Sequence, residues 1–270
     1  MEETSQRQEA RKTPPDHLER LVADAKESIA RGYYKIEGAQ PRVDVGFKEN
    51  LLKCRSNPLI AEIKTASPSI GVIAEKIDVE KIAGMMRRGG ASALSILTEP
   101  KNFMGRIEHL RAAKNAGLPR LMKDIIIEPV QVEAAAEAGA EAILLITSIF
   151  KRRLSENKLE EMISLAHERG LEVLLETHTI EEFQEAIESQ ADLIGINNRD
   201  LSTMKTDINV TVNILTRCDP RDRVIVSESG ISTPEDIRLL RRHGVDAFLV
   251  GSSIMTSPNI ELKVRELVEA

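Results

Sequence analysis

Tryptophan is absent from these 270 residues, and all aromatics together make up 3% of the chain. Stacking platforms of the kind that grip single-stranded nucleic acid therefore have little to be built from. Positive charge is not in excess either. The chain has 37 Lys and Arg against 43 Asp and Glu, a formal net charge of −6, so it offers a polyanion no bulk attraction. Cys54 and Cys218 are the only cysteines, too far apart in sequence for a disulfide framework or a paired metal knuckle. Long hydrophobic runs are missing, and the opening MEETSQRQEARKTPPDH has no apolar stretch, which reads as a cytoplasmic chain with neither membrane nor nucleic-acid partner. What is present is 41% hydrophobic and 30% charged residues, enough for a sizeable core. This length is large for one compact domain unless the architecture is an α/β barrel, which runs to about 250 residues.

Residues 1–15, polar and ending in Pro14-Pro15, read as a flexible lead-in. Asp16 reads as an N-cap, followed by Leu18, Leu21, Val22, Ala25 and Ile29 at helical spacing, with Gly32 ending the run. A second short helix is expected over Val45 to Arg55. This helical extension of about residues 16–56 is grouped with the remainder of the chain into one domain, 16–270. From Asn57-Pro58 onward, short apolar runs alternate with amphipathic stretches, the pattern of repeated β-α units. Four segments read alike: GASALSI from Gly90, GAEAILL from Gly139, QADLIGI from Gln190 and GVDAFLV from Gly244. Their starts lie roughly fifty residues apart, room for two β-α units each. Four further strands fall between them: LIAEIK from Leu59, RLMKDI from Arg120, EVLLET from Glu172 and VIVSES from Val224. Eight strand–helix units predict a (β/α)8 TIM barrel with extra N-terminal helices. A doubly wound open sheet is the alternative, but it needs a glycine-rich turn after the first strand, and Lys64-Thr65-Ala66-Ser67 is not one.

The intervening strands end in charge, which a plain core would avoid. Glu62 and Lys64 close the first, Lys123 and Asp124 the third, Glu176 the fifth and Glu228 the seventh. The sixth runs into Asn197, Asn198 and Arg199. The carboxyl ends of barrel strands converge on one mouth, so these groups are expected around a single pocket. A structural ion layer or plain surface charge is the competing reading. Ser229-Gly230-Ile231 follows the seventh strand and Gly251-Ser252-Ser253 the eighth, the loops where barrels usually hold phosphate. Glycine lets backbone N–H groups approach an anion, and serine adds a hydroxyl donor. Ser67-Pro68-Ser69 could close the site from the first strand. Ordinary turn chemistry is the competing reading for all three. His17, His109, His167 and His243 fall on expected helices and read as solvated, His178 as at most a minor positioning group. No spacing implies a metal, and no serine has a nucleophile-elbow context. Lys151-Arg152-Arg153 reads as the solvated start of a helix.

The segments AEIKTASPSIGVI, SILTEPKNFMG, RLMKDIIIE, ETH, IGINNRDL, VSESGI and LVGSS, in that order, closely resemble the indole-3-glycerol-phosphate synthase family of tryptophan biosynthesis. The resemblance runs from about residue 16 to the end. It implies ring closure of 1-(2-carboxyphenylamino)-1-deoxyribulose 5-phosphate with loss of carbon dioxide and water, without a cofactor. It further implies Lys123 as general acid, its pKa lowered by burial and neighbouring cations. Lys64 would pair with the substrate carboxylate, Glu176 would be the base of the dehydration, and Glu62 would orient the lysines. Asn197, Arg199, Glu228 and Ser229 match substrate-positioning groups, Ser67, Gly230, Gly251 and Ser252 a phosphate cradle, and Phe103 an aromatic that covers the anthranilate ring. The implied partner is the phosphorylated substrate, with the chain a monomer or weak homo-oligomer in transient contact with other enzymes of the pathway.

Three positions depart from the family pattern. Thr65 stands where a basic residue is usual and Ile70 where lysine is frequent, so the first loop is less cationic. Ile125 replaces a common Phe, removing ring stacking from one wall. A sugar-phosphate isomerase is the competing enzyme reading, but it would be expected to show a Cys or Asp pair at strand ends. A non-catalytic partner subunit is the competing reading from another class.

Overall fold

Eight parallel strands close on themselves in sequence order: β1 Leu59–Ile63, β2 Ala93–Leu97, β3 Arg120–Lys123, β4 Ala142–Ile146, β5 Glu172–Thr177, β6 Leu193–Asn197, β7 Val224–Glu228 and β8 Ala247–Val250. The computed structural model describes residues 14–43, 45–67, 71–73 and 77–270. The expected lead-in therefore falls mostly outside the described residues, as do Pro68, Ser69 and Ile70. All eight strands of the expected barrel are present. Their near-continuous burial follows from helices on one face and a filled lumen on the other.

Alternation along the strands sorts the side chains into two clusters. Ile63, Ile96, Leu145, Leu175 and Ile225 face outward and pack with the helices. Ile60, Leu121, Leu174, Leu193 and Val224 face inward and fill the lumen. The inner cluster also contains Leu18, Leu21, Val22 and Ala25 from α1 (His17–Ala30), and Phe47 and Leu51 from α2 (Phe47–Leu52). The two N-terminal helices thus close opposite ends of the barrel. At the strand-start end, the Lys48 backbone N–H donates to Glu172 Oε2 at 2.7 Å, which seats α2 beside the first residue of β5. At the strand-finish end, Lys101 and Asn102 after β2 hold Asp24 of α1 at 2.9 and 3.1 Å.

Asp16 and Glu19 form a capping box that starts α1, and Gly32 follows its end at φ 78°. The second helix is shorter than the expected 45–55. Gly46 is its N-cap, and the chain leaves it at Lys53, a few residues before Pro58, whose ring disfavours helix at Asn57.

The helices outside the barrel are α3 Val79–Arg88, α4 Glu108–Ala112, α5 Pro129–Glu137, α6 Thr147–Lys151, α7 Leu159–Glu168, α8 Ile180–Glu188, α9 Asn209–Arg217, α10 Pro234–Arg242, α11 Ser252–Met255 and α12 Ile260–Val268. The run Lys151-Arg152-Arg153 ends α6 and does not open a helix. Its charges are used: Lys151 pairs with Glu185 at 2.6 Å, and Arg152 reaches Asp16 at 2.7 Å and Glu19 at 3.3 Å, tying α1 to the barrel. A structural ion pair does exist, at the far end from the mouth. Arg120, fully buried, lies 3.1 Å from Glu141, which also accepts the Val43 N–H at 2.8 Å. No helix among the described residues is long and apolar enough to cross a membrane.

Candidate active site

The strand alternation that sends Leu121 and Leu174 into the lumen also sends Lys123 and Glu176, two residues further on, into it. Glu62, Asn197 and Glu228 share that face at the ends of β1, β6 and β7. Lys123 Nζ lies 2.9 Å from Glu228 Oε2, 3.6 Å from Glu62 Oε2 and 4.0 Å from Glu176 Oε2. Lys64 Nζ pairs with Glu62 Oε1 at 2.7 Å and donates to Ser252 Oγ at 3.3 Å. Two lysines and three carboxylates therefore form one connected network, with Lys123 17% exposed and Glu228 not at all.

Two glycines make room for it. A Cβ on Gly195 would collide with Glu228 Oε1, and one on Gly251 with Glu62 Oε1 and, at 2.9 Å, with Lys64 Cε. Gly251, expected in a phosphate cradle, thus also has a packing reason to lack a side chain.

The electrostatics correct one expectation. Burial opposes the charge of Lys123, but Glu228, Glu62 and Glu176 outweigh it and hold its pKa above the ordinary lysine value, not below it. Its nearest charged neighbours are carboxylates, not the expected cations. Glu176 is pushed up to about 8 by burial and by Glu228, against the pull of Lys123 and a hydrogen bond from Asn197. Glu62 goes the other way. Burial resists its charge, but Lys64 and Lys123 prevail and keep it below the usual carboxylate range.

These groups floor a cavity of about 270 Å³. One wall is apolar and includes Phe103, Ile125, Ile146 and, from α1, Leu21. The other is made by the loops after β7 and β8: Ser229, Gly230, Gly251 and Ser252 all line it, and Arg199 stands beside Asn197, whose Oδ1 accepts its backbone N–H at 2.9 Å. Ser229 and Gly230 both hold left-handed φ, 65° and 78°; for a serine that conformation is strained, and it lies where the site needs a sharp turn. Ser67 belongs to a two-residue ribbon, Ala66–Ser67 against Gly71–Val72.

Two strand-end residues turn away. Asn198 is fully buried and serves the frame, donating to Ser227 Oγ at 3.1 Å and accepting from the Thr211 hydroxyl at 2.8 Å. Asp124 borders the cavity, but its oxygens accept from Tyr34, Thr98 and the Ile125 N–H, and burial pushes its carboxyl up to about 7. Thr65 is buried, and its hydroxyl donates to the carbonyls of Phe103 and Met104, both at 2.8 Å. Thr65 therefore fastens the loop bearing Phe103. His178 faces an adjoining cavity that shares Glu176 and Arg199, and its Nδ1–H donates to the Asn197 carbonyl at 2.8 Å. Cys54 lies at the strand-start end with Val224 and Asp246, far from an acid–base role. Among the described residues, no cluster of three or more His, Cys, Asp or Glu could hold a metal ion.

Leu21, Leu201 and Met204 also line the mouth without having been singled out in the sequence. Leu21 was visible only as one member of an apolar helical stripe, and a stripe does not say what it covers.

Among solved structures, the N-acetylmannosamine-6-phosphate 2-epimerase from Clostridium perfringens superposes with a TM-score of 0.61 at 16% identity, over 80% of this chain and 93% of that one. That likeness concerns the fold alone. Sequence relatives go further. The indole-3-glycerol phosphate synthase of Dehalococcoides mccartyi strain CBDB1 is 42% identical over 265 residues, 93% of this chain and 99% of its own length. The one from Methanocaldococcus jannaschii is 46% identical over 214 residues, 78% of each chain. A family model described as indole-3-glycerol phosphate synthase matches residues 17–267. On its fold, on the lumen-facing network and on these matches, the chain belongs to the indole-3-glycerol phosphate synthase family.

Proposed function

We propose that this mouth performs the family's reaction with Lys123 as general acid and Glu176 as general base. The reaction converts 1-(2-carboxyphenylamino)-1-deoxyribulose 5-phosphate to indole-3-glycerol phosphate, carbon dioxide and water, and makes the chain a carboxy-lyase of tryptophan biosynthesis. The observation that carries the reading is the lumen network, in which one partly buried lysine lies within 4.0 Å of three carboxylates on different strands.

The ring carbon bearing the carboxylate attacks the ketone carbon. The carbonyl π electrons move to oxygen, which takes a proton from Lys123 Nζ. An ammonium with a raised pKa suffices, because the oxygen becomes an alkoxide, a far stronger base. Ring closure leaves an iminium in the former anthranilate ring. The carbon–carboxylate bond then breaks, its electron pair restores the aromatic ring, and carbon dioxide departs. In the second half the new hydroxyl takes a further proton from a lysine ammonium of the network and leaves as water, pushed out by the ring nitrogen's lone pair, and Glu176 takes the proton from the neighbouring carbon to form the indole double bond. Glu62 and Glu228 pair with the two lysines and direct them into the lumen, Glu228 being the closest partner of Lys123.

The two walls fit the two ends of such a substrate. Phe103, Ile125 and Leu21 offer apolar surface to the aromatic ring. Ser229, Gly230, Gly251 and Ser252 form the phosphate cradle, and Ser67 of the first-strand loop is assigned to it by the family resemblance. Lys64, whose Nζ donates to Ser252 Oγ and pairs with Glu62, holds the substrate carboxylate in this reading. Asn197 and Arg199 position the ribulose hydroxyls.

Lys123→Ala tests the assignment. The variant should fold as the parent does, by circular dichroism and cooperative melting, and lose at least about a hundredfold in kcat, as removal of a general acid does. Unchanged turnover in a folded variant removes Lys123 as the acid.

A further inference from the structure

The chain has two tyrosines, and they are adjacent: Tyr33 and Tyr34, just past the end of α1. Their rings meet edge to face, centroids 4.9 Å apart at 85°. Neither lines the mouth cavity. Both hydroxyls instead reach the barrel at the adjacent ends of β2 and β3, at Thr98 and at Asp124, the residue after Lys123. The Tyr34 hydroxyl donates to Asp124 Oδ1 at 2.9 Å. The same oxygen accepts the Ile125 N–H at 2.7 Å, and Oδ2 accepts the Thr98 hydroxyl. Thr98 in turn donates its N–H to the Lys123 carbonyl at 3.0 Å. The Tyr33 hydroxyl donates to the Thr98 carbonyl at 2.9 Å and accepts the Ile107 N–H at 3.2 Å.

We propose that Tyr33 and Tyr34 are positioning residues, fixing through Thr98 and Asp124 the backbone from which Lys123 is aimed into the mouth. The inference rests on Lys123 being the general acid. Glu228 and Glu62 hold the head of the lysine, but a lysine has four rotatable side-chain bonds, so its base must be fixed as well for Nζ to stay on target. Asp124 gathers donors from three segments: Tyr34 from the N-terminal extension, Thr98 from the end of β2 and Ile125 from the end of β3. It is 3% exposed, so a donor removed from it is not simply replaced by bulk water. The segment that covers the mouth with α1 therefore also sets the acid.

Steady-state kinetics of Tyr34→Phe and Tyr33→Phe, corrected for the folded fraction by thermal melting, test this. Displacements of about 1 Å cost up to a hundredfold in rate, and one lost bond of several is expected to lower kcat about tenfold with KM within about twofold. Asp124→Asn keeps an acceptor for Tyr34 and Ile125 and can donate to Thr98, so it should retain several-fold more turnover than Asp124→Ala. A Tyr34→Phe whose kcat per folded molecule stays within about twofold of the parent overturns the proposal, even if its melting temperature falls. So does a change confined to KM, or an Asp124→Asn no better than Asp124→Ala. Lys123→Ala measured alongside separates the two claims. If it retains turnover, the acid assignment fails and the clamp with it. If it is inactive while Tyr34→Phe is unaffected, the clamp alone fails.

Discussion

Glu176 keeps its proton to about pH 8 because it is buried beside Glu228 and only partly compensated by Lys123 and Asn197. A base must be ionised to act, and a raised pKa means the ionised form gains population only as the pH climbs. The kcat profile, which includes the dehydration, should therefore rise with pH up to a limb near 8, and Glu176→Gln should abolish that limb; a parent kcat profile flat from pH 6 to 9 would contradict the assignment. Gly195 gives a second prediction on the same scale. Its missing Cβ leaves the space that the Glu228 carboxylate occupies, and that carboxylate lies 2.9 Å from Lys123. Gly195→Ala should displace Glu228, loosen Lys123 and lower kcat by about tenfold or more, as small misplacements of catalytic groups do. The charged strand ends were enough to single out Glu62, Lys123, Glu176 and Glu228. What sequence could not supply was their mutual arrangement. Lys123 was expected beside cations and lies among carboxylates, and Asp124, adjacent in the chain, points to Tyr34 and not into the lumen.

Helix α1 is the element that joins stability to function. Its apolar stripe of Leu18, Leu21, Val22 and Ala25 joins the inner core of the barrel, and Leu21 is also wall to the mouth. Lys101, Asn102 and Arg152 fasten its polar side. Leu21→Ala should cost about 2–5 kcal/mol in urea unfolding, the range for a truncated buried leucine, and should also raise KM several-fold by removing apolar wall. A stability loss with KM unchanged would show that the helix only covers the barrel. The Asp16 cap and the Gly32 stop were legible because capping is local chemistry. Which surface the stripe meets is decided by residues far along the chain, and so was not. The same holds for Arg152, read as solvated but paired with Asp16 from 136 positions away.

On the scale of the whole molecule, the barrel was the most legible feature. Strands buried on both faces write unbroken apolar runs, and an eightfold repeat writes them at regular intervals. The lumen adds a constraint of its own: its inward side chains are mostly apolar through the middle, Ser95 apart, and carry charge where the strands begin or end, as at Glu172 and at the mouth. One network there is asked to perform two half-reactions, a decarboxylating ring closure by Lys123 and a dehydration by Glu176. The absence of tryptophan makes the second directly visible, since product indole fluorescence has no protein tryptophan background. The decisive measurement is a single turnover of Glu176→Gln, with released carbon dioxide and indole fluorescence followed together. The account predicts that carbon dioxide appears while indole lags far behind it, because ring closure proceeds and dehydration stalls. Carbon dioxide and indole slowing equally, in step, would contradict it.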